Sequence, residues 1–442
     1  MPVWTVAAAA IGGAAVSSVL SCIPGLHVYN LMALLAAAQT LGAAWPGPYV
    51  VVPFATGLIV GYAMLNTVPS VLLAAPDESA LFTVLPGQKY LLAGRGVEAV
   101  RLVAAGGLGG LFVLTLVVGP LAPRAVRLAR TVLAPHGHWI IWCVIGFMLM
   151  SEWPKGGRLG QGGRAKFLDA WRSTGTGLAV FALSGLLGFL LFYRSPLAAR
   201  AAYQNLMPAF VGLFTIPWLL FNLASGVQAP PQGDGAGLSG RPGAALIKGL
   251  AAGVLGGGFA AFFPAITGGT GGFLAGHAAG VRDDRAFLVS QGASKLVYYA
   301  GGFLLLFVPG VHLTRGGGAW LLRTVYLPRT YRDYDVALAS LALAGLASFL
   351  LIGPLSRVVI RLMDRWGYRR ISGVALGAVL TLVAGITGWQ GLAVLLVAAG
   401  IGLLPVLCGS RRMNCLGVVL LPVACNLSGC GPAVARFLGL VG

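Results

Sequence analysis

Apolar residues occupy long blocks of the chain, and short polar segments separate these blocks. Stretches such as VWTVAAAAIGGAAVSSVLS, YVVVPFATGLIVGYAMLNTV and FLVSQGASKLVYYAGGFLLLFV approach or exceed the roughly 20 residues that a helix needs to cross a bilayer core. With a window of about 19 residues, the chain contains about ten to twelve such spans. The pattern predicts an all-α polytopic protein that crosses the cell membrane, inner or plasma, many times.

Composition agrees with this class. Apolar residues make up 57% of the chain and charged residues only 9%, and the mean hydropathy is +0.87. A soluble protein of 442 residues would carry far more surface charge. The first apolar block has no basic stretch before it and no small-residue cleavage site, so we expect a retained helix and not a signal peptide.

Segments of the chain recur in the same order. Pro24 and Pro69 lie 45 residues apart, as do Pro264 and Pro309, at an offset of 240. Further on, GPLAPRAVRL is matched by GPLSRVVIRL at an offset of 234, and NLASG is matched by NLSG at an offset of about 205. We predict two repeats, residues 1–226 and 243–442, joined by a Pro/Gly-rich linker at 227–242.

The orientation of the two repeats is a separate expectation. Membrane proteins with two like halves are most often secondary transporters, whose binding site lies near the midplane between the repeats; channels are the rival class. We favour inverted repeats on mechanistic grounds, although the positive-inside rule disfavours them, because the matching arginine loops would then lie on opposite faces.

Two apolar segments are interrupted by proline at matching places. The first reads S-C-I-P-G-L-H-V-Y-N, and the second reads F-F-P-A-I-T-G-G-T-G-G-F-L-A-G-H. Proline and glycine break a helix, and a break inside the membrane is tolerated where it is buried in protein or lines a wet cavity. Exposed N–H groups at such a break can hold an oxyanion, and exposed carbonyls can hold Na⁺. A helix hairpin with glycines for packing is the alternative.

We predict a substrate site at the two breaks. The candidate residues are Pro24, Gly25, His27, Asn30, Asn66, Thr67, Pro264, Thr267, Gly268, Gly269, Thr270, Gly271, His277 and Lys295. Lys295 is the one basic residue inside a good span, so it either faces a cavity or snorkels to the interface. His27 and His277 follow the breaks and are either proton carriers, substrate ligands or structural residues.

Charge and cysteine usage exclude several other functions. The net charge of +19 comes mostly from arginines in short loops, which are expected to set orientation and contact anionic lipid headgroups. No aromatic-interleaved basic groove points to nucleic acid. The six cysteines include no C-x-x-C pair, so neither a disulfide framework nor a metal site is predicted.

The acidic residues give no obvious coupling site. All eleven lie in loops or near predicted helix ends, and Asp77 and Glu78 are expected to cap the next helix or to bind loop partners. The sequence does not decide the coupling ion. Na⁺ could be held by backbone and hydroxyl oxygens, or H⁺ could be carried by a histidine. No cofactor is predicted. The chain also lacks a nucleophile with its base or a zinc motif, so we expect no enzyme and no catalytic residue. A structural or assembly subunit is the other rival class.

The motifs around the first break resemble a known family. IPGLHVYN, followed by NTVPSVLLAAPDESALFTVLPGQKYLLAGRGVEAVRL, is similar to the large permease subunit of the tripartite tricarboxylate transporters, especially its archaeal-type stand-alone relatives. The resemblance implies ion-driven uptake of an organic anion, commonly a di- or tricarboxylate. It also implies two partners, a small membrane subunit and a periplasmic binding protein. The sequence leaves a homodimer open.

A second resemblance supplies the alternative function. P-A-I-T-G-G-T at the second break is similar to the P-G-x-S-G-G-T motif of bacterial polyprenyl-phosphate translocases, with Ala265 in place of Gly and Thr267 in place of Ser. It implies translocation of a lipid phosphate. Both resemblances predict an anion at this site, and they differ in whether that anion is water-soluble.

Overall fold

The computed structural model describes residues 3–23, 26–40, 47–75, 77–152, 162–198, 201, 204–225, 229–233 and 243–441. These residues are almost entirely helical and form no strand. The all-α prediction is therefore confirmed.

The helices of the first part of the chain are α1 (Val3–Leu20), α2 (Val28–Thr40), α3 (Pro48–Leu65), α4 (Thr67–Leu72), α5 (Val84–Leu92), α6 (Gly96–Val113), α7 (Gly119–Leu133), α8 (Gly137–Met150), α9 (Gly163–Tyr193), α10 (Met207–Phe210) and α11 (Ile216–Ser225). Those of the second part are α12 (Ala244–Phe262), α13 (Gly268–Ala278), α14 (Asp284–Leu296), α15 (Gly302–Leu304), α16 (Gly316–Val325), α17 (Tyr331–Cys408), α18 (Gly417–Leu427) and α19 (Gly431–Phe437). Short π-helical segments follow α6, α10 and α14, at Leu114–Val118, Val211–Thr215 and Val297–Gly301.

Within the described ranges, seven helical runs are long and apolar enough to span a membrane, or eight if the bent pair Arg412–Leu427 and Gly431–Phe437 is counted. This is fewer than the ten to twelve spans expected, partly because two of the runs are 55 and 78 residues long. A single span needs only about 20 residues. The 78-residue run also contains Gly367 and Gly388, whose φ angles of +69° and +70° do not fit a right-handed helix.

The chain forms two compact units. Unit 1 consists of Met1–Thr131 and Asn222–Ala375, and unit 2 consists of Val132–Phe221 and Leu376–Gly442. Each unit therefore takes one segment from the predicted first repeat and one from the predicted second repeat. The boundaries of the repeats and their inversion stay predictions.

Both proline breaks lie in unit 1 and interrupt the helical path. The first lies between α1 and α2, although Pro24 and Gly25 themselves are outside the described residues. The second lies between α12 and α13. Gly13 of α1 and Gly253 of α12 are 240 residues apart, and each lies against the backbone of a later helix. A Cβ atom would stand 2.2 Å from a carbonyl oxygen of α3 at Gly13 and 2.3 Å from one of α14 at Gly253. The two broken segments thus have matching packing.

Part of the predicted linker is attached to unit 1. Gln232 donates to the Leu91 carbonyl over 3.0 Å and accepts from the Gly96 amide over 2.8 Å. The Gly233 amide donates to the Gly94 carbonyl over 3.0 Å. Residues 229–233, within the predicted linker, are therefore hydrogen-bonded to the turn between α5 and α6.

Candidate substrate site

Lys295 lies near the end of α14, immediately before the π-helical segment Val297–Gly301. A π-helical turn widens the helix and is frequently found at functional sites. Here it directs Tyr299, from the next turn, toward the same cluster as Lys295. The side chain of Lys295 is almost completely buried, so it does not snorkel to an interface.

The ammonium group of Lys295 has two polar partners. Its Nζ lies 3.1 Å from Oδ2 of Asp77 in an ion pair whose side chains are only 4% and 6% exposed. It also donates to Oδ1 of Asn66 over 2.6 Å. Asn66 stands at the interruption between α3 and α4, and its Oδ1 accepts a second hydrogen bond from Ser70. A charge removed from water in this way requires such partners.

Tyr299 joins this ion pair to a second acid–base pair. Its hydroxyl lies 2.9 Å from Nε2 of His27, 3.2 Å from Oε1 of Glu78 and 3.4 Å from Oδ2 of Asp77. Nε2 of His27 lies 3.3 Å from Oε1 of Glu78. One hydroxyl therefore lies within hydrogen-bond reach of both carboxylates and the histidine.

His27 is held in place by its own helix start. Its amide donates to Oδ1 of Asn30 over 3.2 Å, in the manner of a capping box at the beginning of α2. Nδ1 of the ring accepts from the Tyr29 amide over 3.2 Å. These contacts leave Nε2 as the nitrogen that faces Tyr299 and Glu78.

Glu78 lies between the membrane-spanning segments. Burial alone would raise the pKa of its carboxyl group. The adjacent His27 ring, a hydrogen bond with that ring and the more distant Lys295 together hold the pKa below the ordinary value of 4.5. Glu78 is therefore a carboxylate in the folded protein near neutral pH.

The second break contributes a helix N-terminus to the same cluster. Thr267 caps α13 by accepting from the Thr270 amide over 3.3 Å, and its hydroxyl also contacts that of Thr270 at 3.1 Å. The first amides of a helix, here those of Gly268 and Gly269, have no acceptor within the helix. Together with the positive end of the helix dipole they favour an anion.

The loop that carries Asp77 and Glu78 packs against this helix start. The Thr267 hydroxyl donates to the Glu78 carbonyl over 3.4 Å, and a Cβ atom at Gly269 would stand 2.6 Å from the Ser79 carbonyl oxygen. The Phe82 and Phe273 rings stack with centroids 4.7 Å apart. Glycine at 269 is thus required by the close approach of the loop, which brings the carboxylates to the second break.

Two side chains beside the cluster have unused polar groups. Both amide atoms of Gln291 and the hydroxyl of Ser79 are buried without a hydrogen-bond partner among the described residues. Gln291 lies one turn before Lys295 on α14, so the two side chains share a helix face. Buried polar groups without protein partners are rare in folded proteins, and a bound water, ion or ligand can satisfy them.

The described residues contain one group of three side chains able to hold a metal ion, His27, Asp77 and Glu78, whose ligand atoms lie within 4.8 Å of one another. Two of these ligands are carboxylate oxygens, which suit a hard cation such as Na⁺, and the third can accept a proton. The cluster thus combines a buried cation, a helix N-terminus and a possible cation position.

The model of the tripartite tricarboxylate transporter TctA family matches residues 7–417, nearly the whole chain. The chain belongs to this family. The resemblance seen around the first break is therefore confirmed, and this TctA-family protein is a multi-pass membrane transporter component of tricarboxylate transport.

Among the curated proteins, the TctA-family chain is similar to Uncharacterized protein MJ1079 of Methanocaldococcus jannaschii. The two are 24% identical over 409 residues, which cover 90% of this chain and 93% of the relative. A search of the solved structures found no match. TctA proteins are the large subunits of tripartite transporters, which usually work with a small subunit and a binding protein.

In this TctA-family chain the structure brings most of the predicted site residues together. His27, Asn30, Asn66, Thr67, Thr267, Gly268, Gly269, Thr270 and Lys295 are buried or half-buried at or directly beside the cluster. Pro264 lies in the turn before α13. Gly271 packs against Gly256 of α12, so it serves close helix packing. His277 is exposed at the opposite end of α13 and does not join the cluster. Pro24 and Gly25 lie outside the described residues.

Sequence reasoning missed several members of the site. Asp77 and Glu78 bind Lys295, His27 and Tyr299, where a helix cap or loop contact was expected. Ser79, Gln291 and Tyr299 were not singled out. One available signal was Lys295 itself, because a lysine inside a span needs a carboxylate partner and only eleven acidic residues could provide it.

Proposed function

We propose that this protein is a secondary transporter of an organic anion, of the di- or tricarboxylate class, that works by alternating access around the Lys295 cluster. One observation carries the proposal: Lys295 and Asp77 form an ion pair at 3.1 Å with side chains 4% and 6% exposed, between the two broken helices. The membership in the TctA family supports a tricarboxylate-type substrate.

A substrate carboxylate binds this site by taking the place of Asp77 on Lys295. The buried ammonium group needs an anionic partner at all times, because an unpaired charge in this environment is costly. The free amides at the start of α13 and the unpartnered Gln291 and Ser79 side chains can accommodate a second carboxylate. The site is therefore suited to a molecule with two or more carboxylates.

The same exchange explains coupling to an ion. Once the substrate occupies Lys295, the Asp77 carboxylate loses its cation while Glu78 already lies beside it. A proton or Na⁺ at the His27, Asp77 and Glu78 group restores the charge balance. Substrate and coupling ion then favour each other's binding, as thermodynamic linkage requires.

Burial of the cluster favours a water-soluble anion over a polyprenyl phosphate. Lys295 and Tyr299 are 3% and 2% exposed, and the side chain of His27 is only 17% exposed. A lipid phosphate would need an opening to the bilayer through which its chain could extend. Polyprenyl phosphate is nonetheless included as a test ligand, because the motif at the second break resembles that of polyprenyl-phosphate translocases.

The proposal is tested by uptake of labelled citrate and succinate into vesicles containing the purified protein, with and without Na⁺ and pH gradients. Binding is measured in parallel by the shift in thermal unfolding, with short-chain polyprenyl phosphate as a further ligand. Uptake that depends on one gradient and is lost in Lys295→Met supports the proposal.

The matched control is Lys89→Met. Lys89 forms an ion pair with Asp284 at 3.0 Å, but these side chains are 69% and 45% exposed. This variant should transport like the wild type. Equal uptake by wild type and Lys295→Met, or binding of polyprenyl phosphate without binding of any carboxylate, overturns the proposal.

We further propose that the protein works with a small membrane subunit and a binding protein, as transporters of this family usually do. Adding both partners to the vesicles should increase uptake at low substrate concentration, and no increase would contradict this second proposal. The thermal-shift assay does not depend on such partners, so it reports on the site itself.

A further inference from the structure

Unit 2 contains a half-buried arginine whose guanidinium group has buried, unused hydrogen-bond donors. Arg412 begins the short helical turn Arg412–Leu416 that follows α17. Its Nη2 donates to the carbonyls of Leu213 and Phe214, over 3.1 and 2.7 Å. Both carbonyls belong to the π-helical segment Val211–Thr215, in which carbonyls are displaced from regular helix geometry.

The rest of the guanidinium group has no partner. Its Nε and Nη1 atoms are buried and make no hydrogen bond, and no carboxylate of the described residues forms an ion pair with it. The group lies over the ring of Trp218, with its central carbon 5.0 Å from the ring centroid. A cation–π contact offsets only part of the cost of burying a charge.

Unused polar atoms also lie on Trp218, whose ring the guanidinium overlies, and on two residues close to Arg412 in sequence. Nε1 of Trp218 and Oγ of Ser410 are buried without a partner. Both can donate to an anion in addition to Arg412. Oδ1 of Asn414 is also unpartnered and can accept a hydrogen bond from a hydroxyl.

The nearby carboxylate of Glu152 is already engaged elsewhere. It accepts from Ser173 over 2.9 Å, from Nδ2 of Asn414 over 3.1 Å and from the Arg411 amide. It therefore orients Asn414 and the backbone before Arg412 and does not neutralise the guanidinium. Within the described part of the chain, no carboxylate balances the positive charge of Arg412.

We propose that Arg412 is the centre of a second anion site, in unit 2, which binds a carboxylate group. The free Nε–H and Nη1–H groups point in different directions, so each can donate singly to a carboxylate oxygen, and such charge-assisted hydrogen bonds are stronger than neutral ones. The ligand is either a multivalent acid of the class proposed for transport or a simple monocarboxylate.

The test uses the full chain with the first site disabled. In the Lys295→Met/Asp77→Asn double variant both charges of the first ion pair are absent, so carboxylate binding at Lys295 is removed without leaving an unpaired charge. Thermal unfolding of the purified protein is followed with acetate, succinate, citrate and chloride at equal ionic strength. A ligand of the second site should raise the midpoint temperature of thermal unfolding, and this rise should grow with the logarithm of the ligand concentration.

Arg412→Met should abolish this rise, and Arg436→Met, which removes an exposed arginine of the same unit, should retain it. Without any carboxylate, Arg412→Met should be as stable as its parent or more so, because a buried unpaired charge is removed.

Carboxylates should also quench a tryptophan fluorescence signal that Trp218→Phe removes. A rise with succinate or citrate but not acetate identifies the multivalent acid as the ligand, and a rise with acetate identifies a monocarboxylate site.

Three outcomes overturn the proposal. They are a rise that persists in Arg412→Met, a rise equally produced by chloride, and no rise at all combined with destabilisation by Arg412→Met. The last would mean that the guanidinium serves only the two carbonyls of the π-helical segment. Because these readouts come from the double variant, they are independent of whether Lys295 proves essential for uptake.

Discussion

Asp77 and Lys295 meet in an ion pair that is nearly inaccessible to water, although more than 200 residues separate them in sequence. The cost of removing two charges from water offsets much of the attraction between them, so such a pair is weak evidence for stability. Loss of one partner is different, because the other charge is left buried and unpaired. The two residues should therefore behave as a unit.

Lys295→Met and Asp77→Asn should each lower the free energy of unfolding by about 3–5 kcal/mol, and the double variant should regain much of this loss. Thermal unfolding of the purified protein in detergent measures the change. Lys89→Met, at an exposed ion pair, should cost no more than about 1 kcal/mol. Additive losses in the double variant would show that the two charges are not coupled.

Tyr299→Phe should weaken substrate binding about tenfold or more. The missing hydroxyl leaves His27 and Glu78 without a shared hydrogen-bond partner, and an unsatisfied buried polar group costs about 1–3 kcal/mol. Substrate dissociation constants measure the effect. Tyr298→Phe is the matched control, because it removes a hydroxyl from the same π-helical segment but not from this hydrogen-bond cluster. Equal effects of the two substitutions would contradict the assigned role of Tyr299.

Ala265→Gly should stabilise the protein by about 1 kcal/mol. Ala265 has φ = +64°, in the left-handed region that glycine adopts without strain. It is also the position at which the related translocase motif has glycine. Ala279→Gly, at φ = −78°, should instead cost about 0.5–1 kcal/mol. Thermal unfolding midpoints measure whether each substitution raises or lowers stability. A lower midpoint for Ala265→Gly would contradict the prediction.

Gly292→Ala should strongly destabilise unit 1 or prevent its folding. A Cβ atom there would stand 1.9 Å from the Val103 carbonyl oxygen, so α6 and α14 could not approach each other. The cost is that of overpacking, about 1–3 kcal/mol or more. Gly258→Ala, with no atom within 4 Å, should be neutral or stabilising. Folded yield and thermal stability test the pair, and wild-type behaviour of Gly292→Ala would rule out this helix contact.

Glu78 should make stability depend on pH in the acid range. Because its folded pKa lies below its ordinary value of 4.5, the folded state binds fewer protons than the unfolded state in this range. Its contribution is complete above about pH 4.5 and is lost as the pH falls through the lower folded value. Glu78→Gln should flatten the stability profile below that pH. An unchanged profile would mean that the carboxyl is not stabilised in its charged form.

The sequence predicted the helical class, the two breaks and many of the residues that gather around Lys295. Hydropathy locates apolar helices, and proline with glycine locates their interruptions. His27 and Thr267 were found because each lies beside an interruption. These signals are local, and they are reliable for that reason.

The rest depends on contacts between distant segments. A hydropathy window assigns Asp77 and Glu78 to a loop, and nothing local shows that this loop packs against α13. The π-helical segments that direct Tyr299 and accept from Arg412 have no hydropathy signature. Gly367 and Gly388 interrupt the regular geometry of the 78-residue helical run through their positive φ angles. Hydropathy does not show such interruptions, so the number of spans predicted from the sequence differs from the number of helical runs in the structure.

The composition of the two compact units has a consequence for biogenesis. Unit 1 needs Met1–Thr131 together with Asn222–Ala375, so its first segment must wait in the membrane until the second has been translated. At about 5–20 residues per second, Lys295 emerges roughly 10–40 seconds after Asp77. Throughout that interval Asp77 lacks its lysine partner, so the nascent chain must keep this carboxylate hydrated or shielded by the insertion machinery. The rate of translation therefore determines when the Lys295 cluster can first form.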